Sequence, residues 1–262
     1  MADHSRRYYV YAVVGAEEAA ELALPADGVH GAPVTVLSGD GVAAVVSPLD
    51  GGRVRSTGAD LSAHERVVEE VATCTTSVPL QFGLVISGEK AVIDEFLAPN
   101  EAQLARLLSD LSGKAEYRLK VTYRGDVALR EAVRGSGAIR RLRERVRAKG
   151  EAASYKDRIQ LGELVAAAVQ QIGDDDAYAI LRSVDRHTEA TVVLPSQSGK
   201  VAVYAGFLVD RGGADDFDHA VDQLAEDLNE RLSFELIGPL APWDFLGEDV
   251  YERPAAAFAG RR

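Results

Sequence analysis

The residues with the widest chemical range are five histidines, His4, His30, His64, His187 and His219, and one cysteine, Cys74. A histidine next to a carboxylate can serve as an acid–base pair, and His64-Glu65 is the candidate by adjacency. Neighbours on a helix point about 100° apart, however, and Glu65 already completes an S-x-x-E capping box with Ser62. A nucleophilic Cys74 needs a base and an oxyanion hole, which no motif around it supplies, so a buried or half-buried inert thiol is expected. Asp174-Asp175-Asp176 invites a cation, but the glycine and distal glutamate of a calcium loop are missing. An N-cap for a helix over 177–183 accounts for these aspartates. No G-x-S-x-G, H-E-x-x-H, G-x-G-x-x-G or Walker loop occurs. The expectation is a non-enzyme with no catalytic residue, metal ligand or cofactor.

Composition bounds the partners. The 262 residues suffice for two domains, and 47% apolar with 27% charged residues is ordinary for a globular chain. A net charge of -12 argues against broad nucleic-acid binding. No apolar run approaches the ~20 residues that span a bilayer. The start MADHSRRYYV lacks the apolar core of a signal peptide, and one cysteine cannot form an internal disulfide, so a cytoplasmic location is expected.

The elements that would position any site follow from periodicity. The run YYVYAVV over 8–14 predicts a first strand, and 34–37 with 42–47 a hairpin about Asp40-Gly41. A Gly-rich loop over 48–60 follows. The organising stretch is 60–87. A helix with Leu61, Val67, Val68, Val71 and Ala72 on its apolar face frays into 73–77, and Pro79 opens a strand in which Leu80, Phe82, Leu84 and Ile86 alternate with Gln81, Gly83, Val85 and Ser87. Two helical pieces interrupted at Pro99-Asn100 come next. A strand over 115–123 then turns Ala115, Tyr117, Leu119, Val121 and Tyr123 inward, and Glu116, Arg118, Lys120 and Thr122 outward.

Residues 138–149, AIRRLRERVRAK, form a strongly basic helix. It reads either as a docking face for an acidic partner or as a solvated helix paired with the chain's own acidic surface. The second half gives α-β-β-α-β, with a helix over 154–171. The fold class is α+β in two domains, each a ferredoxin-like or modified ferredoxin-like sandwich of mixed or antiparallel sheet with helices on one face. The expected boundaries are 1–124, a connector over 125–153, 154–247 and a flexible tail over 248–262. Two stretches are candidate binding surfaces. Pro79, Phe82 and Gly83 enter a strand where glycine permits close backbone approach. Gly238, Pro239, Pro242, Trp243 and Phe245 make a proline-stiffened aromatic segment that can bury much area at low entropic cost.

These motifs, taken in series, resemble the gas vesicle GvpL/GvpF family. The correspondence rests on Tyr9-Val10-Tyr11-Ala12-Val13-Val14, the hairpin end Ala44-Val45-Val46-Ser47, His64-Glu65 and Pro79-Leu80-Gln81-Phe82-Gly83. It continues through Gly113-Lys114-Ala115-Glu116-Tyr117-Arg118-Leu119-Lys120-Val121, Phe207-Leu208-Val209 and the 238–245 segment. Gln81 stands where the family has arginine, Leu240 and Ala241 replace Trp and Pro, and Trp243 replaces a tyrosine. The resemblance implies a two-domain accessory protein of gas vesicles that binds the apolar shell protein and other accessory proteins and helps nucleate or assemble the shell. The rival reading is a small-molecule sensor or regulatory module, with the basic connector sensing an anion.

Overall fold

The computed structural model describes residues 6–24, 27–49, 54, 57–149, 155–196 and 198–247. The predicted tail over 248–262 lies outside them, as do parts of the predicted loop over 48–60. Compactness groups the chain into two units, each discontinuous in sequence. The first holds the chain as far as Tyr117, Leu208–Gly212 and the chain from Gly238 on; the second holds Arg118–Phe207 and Gly213–Ile237.

The first unit is built on β1 (Arg7–Gly15), whose Tyr9 to Val14 are wholly buried. β2 (Thr35–Ser38) and β3 (Val42–Leu49) form the predicted hairpin, and β3 pairs antiparallel with one edge of β1. β4 (Ser77–Pro79) and β5 (Val85–Ser87) share the other edge. A short helix, α1 (Ala16–Ala19), follows β1. A bulge in β1 leaves Tyr11 unmatched between the pairs Val10–Val46 and Ala12–Val45.

The strand predicted over 80–87 is therefore split. The Leu80 N–H donates to the Tyr11 carbonyl and the Val10 N–H to the Leu84 carbonyl, and residues 81–83 leave the ladder between them. Gly83 makes that excursion at φ 96°, a conformation costly for any residue with a Cβ.

α2 (Gly58–Cys74) starts a turn before the Ser62–Glu65 pair. Its N-cap is Thr57, whose hydroxyl accepts from the Asp60 N–H at 3.2 Å. Thr57 and Asp60 repeat the hydroxyl–acid spacing three residues apart, and theirs comes first. The predicted apolar face is corrected at one position: Leu61 is 36% exposed, and His64, 3% exposed, completes the stripe of Val67, Val68 and Val71. The helix also runs to Cys74 instead of fraying at Thr73, which places the Cys74 thiol, expected to be buried or half-buried, in the open.

Pro99 does not break the next helical stretch. α3 (Glu89–Ala91) passes through a π turn (Val92–Leu97) into α4 (Ala98–Leu111). The widened turn accommodates a residue that lacks an N–H and crowds the carbonyl four residues back. Asn100 Nδ2 donates to the Phe96 carbonyl at 2.7 Å.

β6 (Lys114–Tyr123) buries all five residues predicted to face inward. It joins not the first sheet but a second, ordered β7-β8-β6-β9, with β7 (Ala190–Val193), β8 (Val201–Asp210) and β9 (Leu232–Leu240). Glu116, expected to face outward, is 0% exposed. The second unit adds α5 (Val127–Gly135), the basic α6 (Gly137–Lys149), α7 (Tyr155–Val184) and α8 (Ala214–Asp227). α7 runs unbroken through Asp174-Asp175-Asp176, which therefore cap nothing. Gln170 and Gln171 donate to Asp174 and Asp175 one turn on, at 2.8 and 2.9 Å, contacts that stabilise a helix locally.

The result is an α+β architecture with helices and antiparallel strands distributed over two sheets.

Candidate interaction site

In the first unit β1, α2, the turn at residues 81–83 and the 3-10 turn Trp243–Phe245 converge on one aromatic cluster. His64 is its hub. Tyr11 lies nearly parallel to the imidazole at a centroid distance of 5.8 Å, and Tyr9 and Phe82 meet it edge-on at 5.7 and 5.6 Å. Trp243 lies 6.1 Å away, tilted by 45°. Tyr9 and Tyr11 share a face of β1 because they are two residues apart, and their rings approach to 4.8 Å.

Hydrogen bonds fix the rings. The Gly83 N–H donates to Tyr9 Oη at 2.9 Å, and the same hydroxyl is hydrogen-bonded to His64 Nδ1 at 3.0 Å. Nε2 is buried without a hydrogen-bond partner. The Leu80 carbonyl is near enough to raise the ring's basicity slightly, but burial outweighs it and lowers the His64 pKa to about 4. Burial also pushes the Tyr9 and Tyr11 hydroxyls up from their ordinary value. All three rings are thus uncharged at neutral pH. Tyr11 is held in turn by Ser47 Oγ at 2.7 Å and by the Val29 N–H at 2.7 Å.

Two carboxylates pin the segment that brings Trp243. Glu69 Oε2 on α2 accepts from the Ala241 N–H at 2.8 Å, and Glu116 Oε2 accepts from the Asp244 N–H at 3.0 Å. This explains the buried Glu116: two backbone donors after β9 have left the sheet ladder, and carboxylates satisfy them. Ala241 is wholly buried in the same core.

The structure brings together Phe82 and Trp243, one from each predicted stretch, and ties Gly83 to them through Tyr9. It separates the others. Pro79 is buried in β4 opposite Ala12. Gly238 and Pro239 extend β9 beyond its predicted end, exposed. A Cβ at Gly238 would lie 2.5 Å from the Tyr117 ring, so glycine is required there by contact. Pro242 is buried, and Phe245 is half-buried on the turn but outside the ring cluster. Phe82 and Trp243 are also half-buried, leaving aromatic surface open to a partner.

By adjacency to Glu65, His64 presents itself in the sequence as a base, and Tyr9, Tyr11, Glu69 and Glu116 carry no local mark of their anchoring role. One signal was available: His64 recurs with Val67, Val68 and Val71 at i, i+3, i+4 and i+7. Among the described residues no group of three or more His, Cys, Asp or Glu could hold a metal ion.

A second polar knot lies in the second unit. Arg231 forms a fork with Glu131, both bonds at 2.8 Å, and reaches Asp176 at 3.1 Å. Tyr123 donates to Asp176 at 2.6 Å. The Glu131 and Asp176 carboxylates raise the Arg231 pKa further above its usual range, and burial followed by the Asp176 bond raises that of Tyr123.

The family model described as gas vesicle synthesis protein GvpL/GvpF matches residues 7–247. The chain belongs to the GvpL/GvpF family. Gas vesicle protein F of a Streptomyces species is 35% identical over 217 residues, covering 82% of this chain and 88% of that protein. Two crystal structures of family members share the fold. GvpF from Microcystis aeruginosa superposes with a TM-score of 0.74 at 22% identity, covering 92% of this chain and 99% of that one. GvpF from an Anabaena species gives 0.81 at 21%, covering 93% and 99%. Among the described residues no helix is long and apolar enough to cross a membrane.

Proposed function

We propose that this chain is an accessory assembly protein of gas vesicles, working in the cytoplasm and at the vesicle, that binds the apolar shell protein and helps nucleate or extend the shell. Membership of the GvpL/GvpF family carries the gas vesicle part of this reading. The binding part draws on the half-buried Phe82 and Trp243, set on a rigid hydrogen-bonded base, with Phe245 on the adjoining turn. A shell subunit exposes apolar area before assembly and aggregates unless that area is covered. Aromatic side chains held in place bind such area without a large ordering cost. The role is structural and not catalytic, with the shell protein and other vesicle accessory proteins as partners.

The test is affinity capture after co-expression with the major shell protein of the same gene cluster. Capture that falls on Phe82→Ala and Phe245→Ala, while circular dichroism shows both variants still folded, is the expected result. Absence of capture while the shell protein stays soluble would overturn direct binding.

A further inference from the structure

A groove of about 440 Å³ lies within the second unit, among α5, α6 and α7. Its floor is apolar, from Leu129, Val133, Leu161 and Val165, and its rim carries Arg130, Arg134 and Arg143. Leu129 is 43% exposed, and on α7 Ile159 and Leu164 are also exposed, at 42% and 36%. Among the described residues none of the three rim guanidiniums has an ion-pair partner, and Glu131, the carboxylate interleaved with them on α5, is taken by Arg231. No acidic residue lines the groove. In a chain of net charge -12, this concentration of unpaired positive charge over an apolar trough is a local inversion.

We infer that this groove is a docking site for an acidic amphipathic helix of a partner protein. Such a helix lays its apolar stripe on the floor and its carboxylates against the rim. Arg130 and Arg134 stand one helical turn apart, matching carboxylates spaced by a turn on the incoming helix. A second copy of this chain does not fit. Its acidic helix, α8, already buries Phe217 and Val221 in its own unit and has no apolar stripe to offer. A small anion does not fit either, because all three arginines are exposed and spread over two helices instead of converging in an enclosed pocket. The inference stands apart from shell-protein binding at the first unit.

The probe is a fluorescent peptide of roughly 18 residues, about five helical turns, with leucine at i, i+3, i+4 and i+7 of each repeat and glutamate elsewhere. Binding to the full chain is read by anisotropy. Saturable binding is expected, weakened about tenfold or more by Arg130→Ser/Arg134→Ser/Arg143→Ser and also by raising salt from about 50 to about 500 mM. The three positions are exposed, and an unchanged melting curve certifies the variant's fold. Three results would each overturn the inference: no binding, equal binding to wild type and variant, or equal binding of a peptide whose leucines are replaced by serine.

Discussion

His64 occupies a stripe position that helical spacing reserves for an apolar side chain, and its protonation follows from that placement. Its pKa is about 4 in the folded chain and about 6.5 when unfolded. The unfolded chain therefore takes up the proton first as the pH drops. The stabilisation is full above about pH 6.5 and is lost progressively down to about pH 4. The shift corresponds to about 3 kcal/mol. Urea unfolding across this window should show that loss, and His64→Phe should flatten it; an unchanged pH profile in the variant would contradict the burial argument. Tyr9→Phe removes the hydroxyl that is hydrogen-bonded to His64 Nδ1 and accepts from the Gly83 N–H. Leaving those partners unmet should cost about 1–3 kcal/mol, read as a lower urea midpoint. Neither tyrosine's role could be read from its neighbours, because the polar partner lies 55 positions away for Tyr9 and 36 for Tyr11.

At the scale of elements, local signals were legible where one stretch of chain decides its own geometry. The hairpin at Asp40-Gly41, the inward set of β6 and the α7-β7-β8-α8-β9 order all follow from periodicity and turn chemistry. Three features escaped because a distant partner or a neighbouring turn decides them. The strand over 80–87 splits because Tyr9 captures Gly83, α7 survives its aspartates because glutamines one turn earlier engage them, and β6 pairs in the second sheet. Glu116 looked solvent-facing by alternation and is buried because the 241–245 segment covers it. That segment gives an element-scale prediction. Glu69→Ala removes the acceptor for the Ala241 N–H, loosening the strap that carries the chain's only tryptophan. Trp243 fluorescence should shift to the red and become more readily quenched by iodide; an unchanged spectrum would show that Glu116 suffices. Thr57→Ala should cost about 1 kcal/mol through the lost α2 cap, read from thermal unfolding.

For the whole molecule, the Glu131–Arg231–Asp176–Tyr123 knot joins α5, α7, β6 and the residue before β9 within the second unit. Asp176→Ala strips one arm from Arg231 and leaves the Tyr123 hydroxyl without its acceptor. A loss of about 1–3 kcal/mol is expected, and hydrogen exchange should place it in the second unit; uniform exchange across both would contradict that assignment. The discontinuity of the first unit has a consequence for synthesis. Its last pieces, from Gly238 on, follow Tyr117 by the 120 residues of 118–237. At ribosomal speeds of about 5–20 residues per second that is roughly 6–24 s. Throughout that interval Glu69 and Glu116 lack the backbone donors they hold in the finished protein, and the Tyr9–His64–Phe82 rings lack Trp243. The nascent chain thus leaves the ribosome with an aromatic face uncapped, and a message truncated before codon 238 would release it in that state permanently.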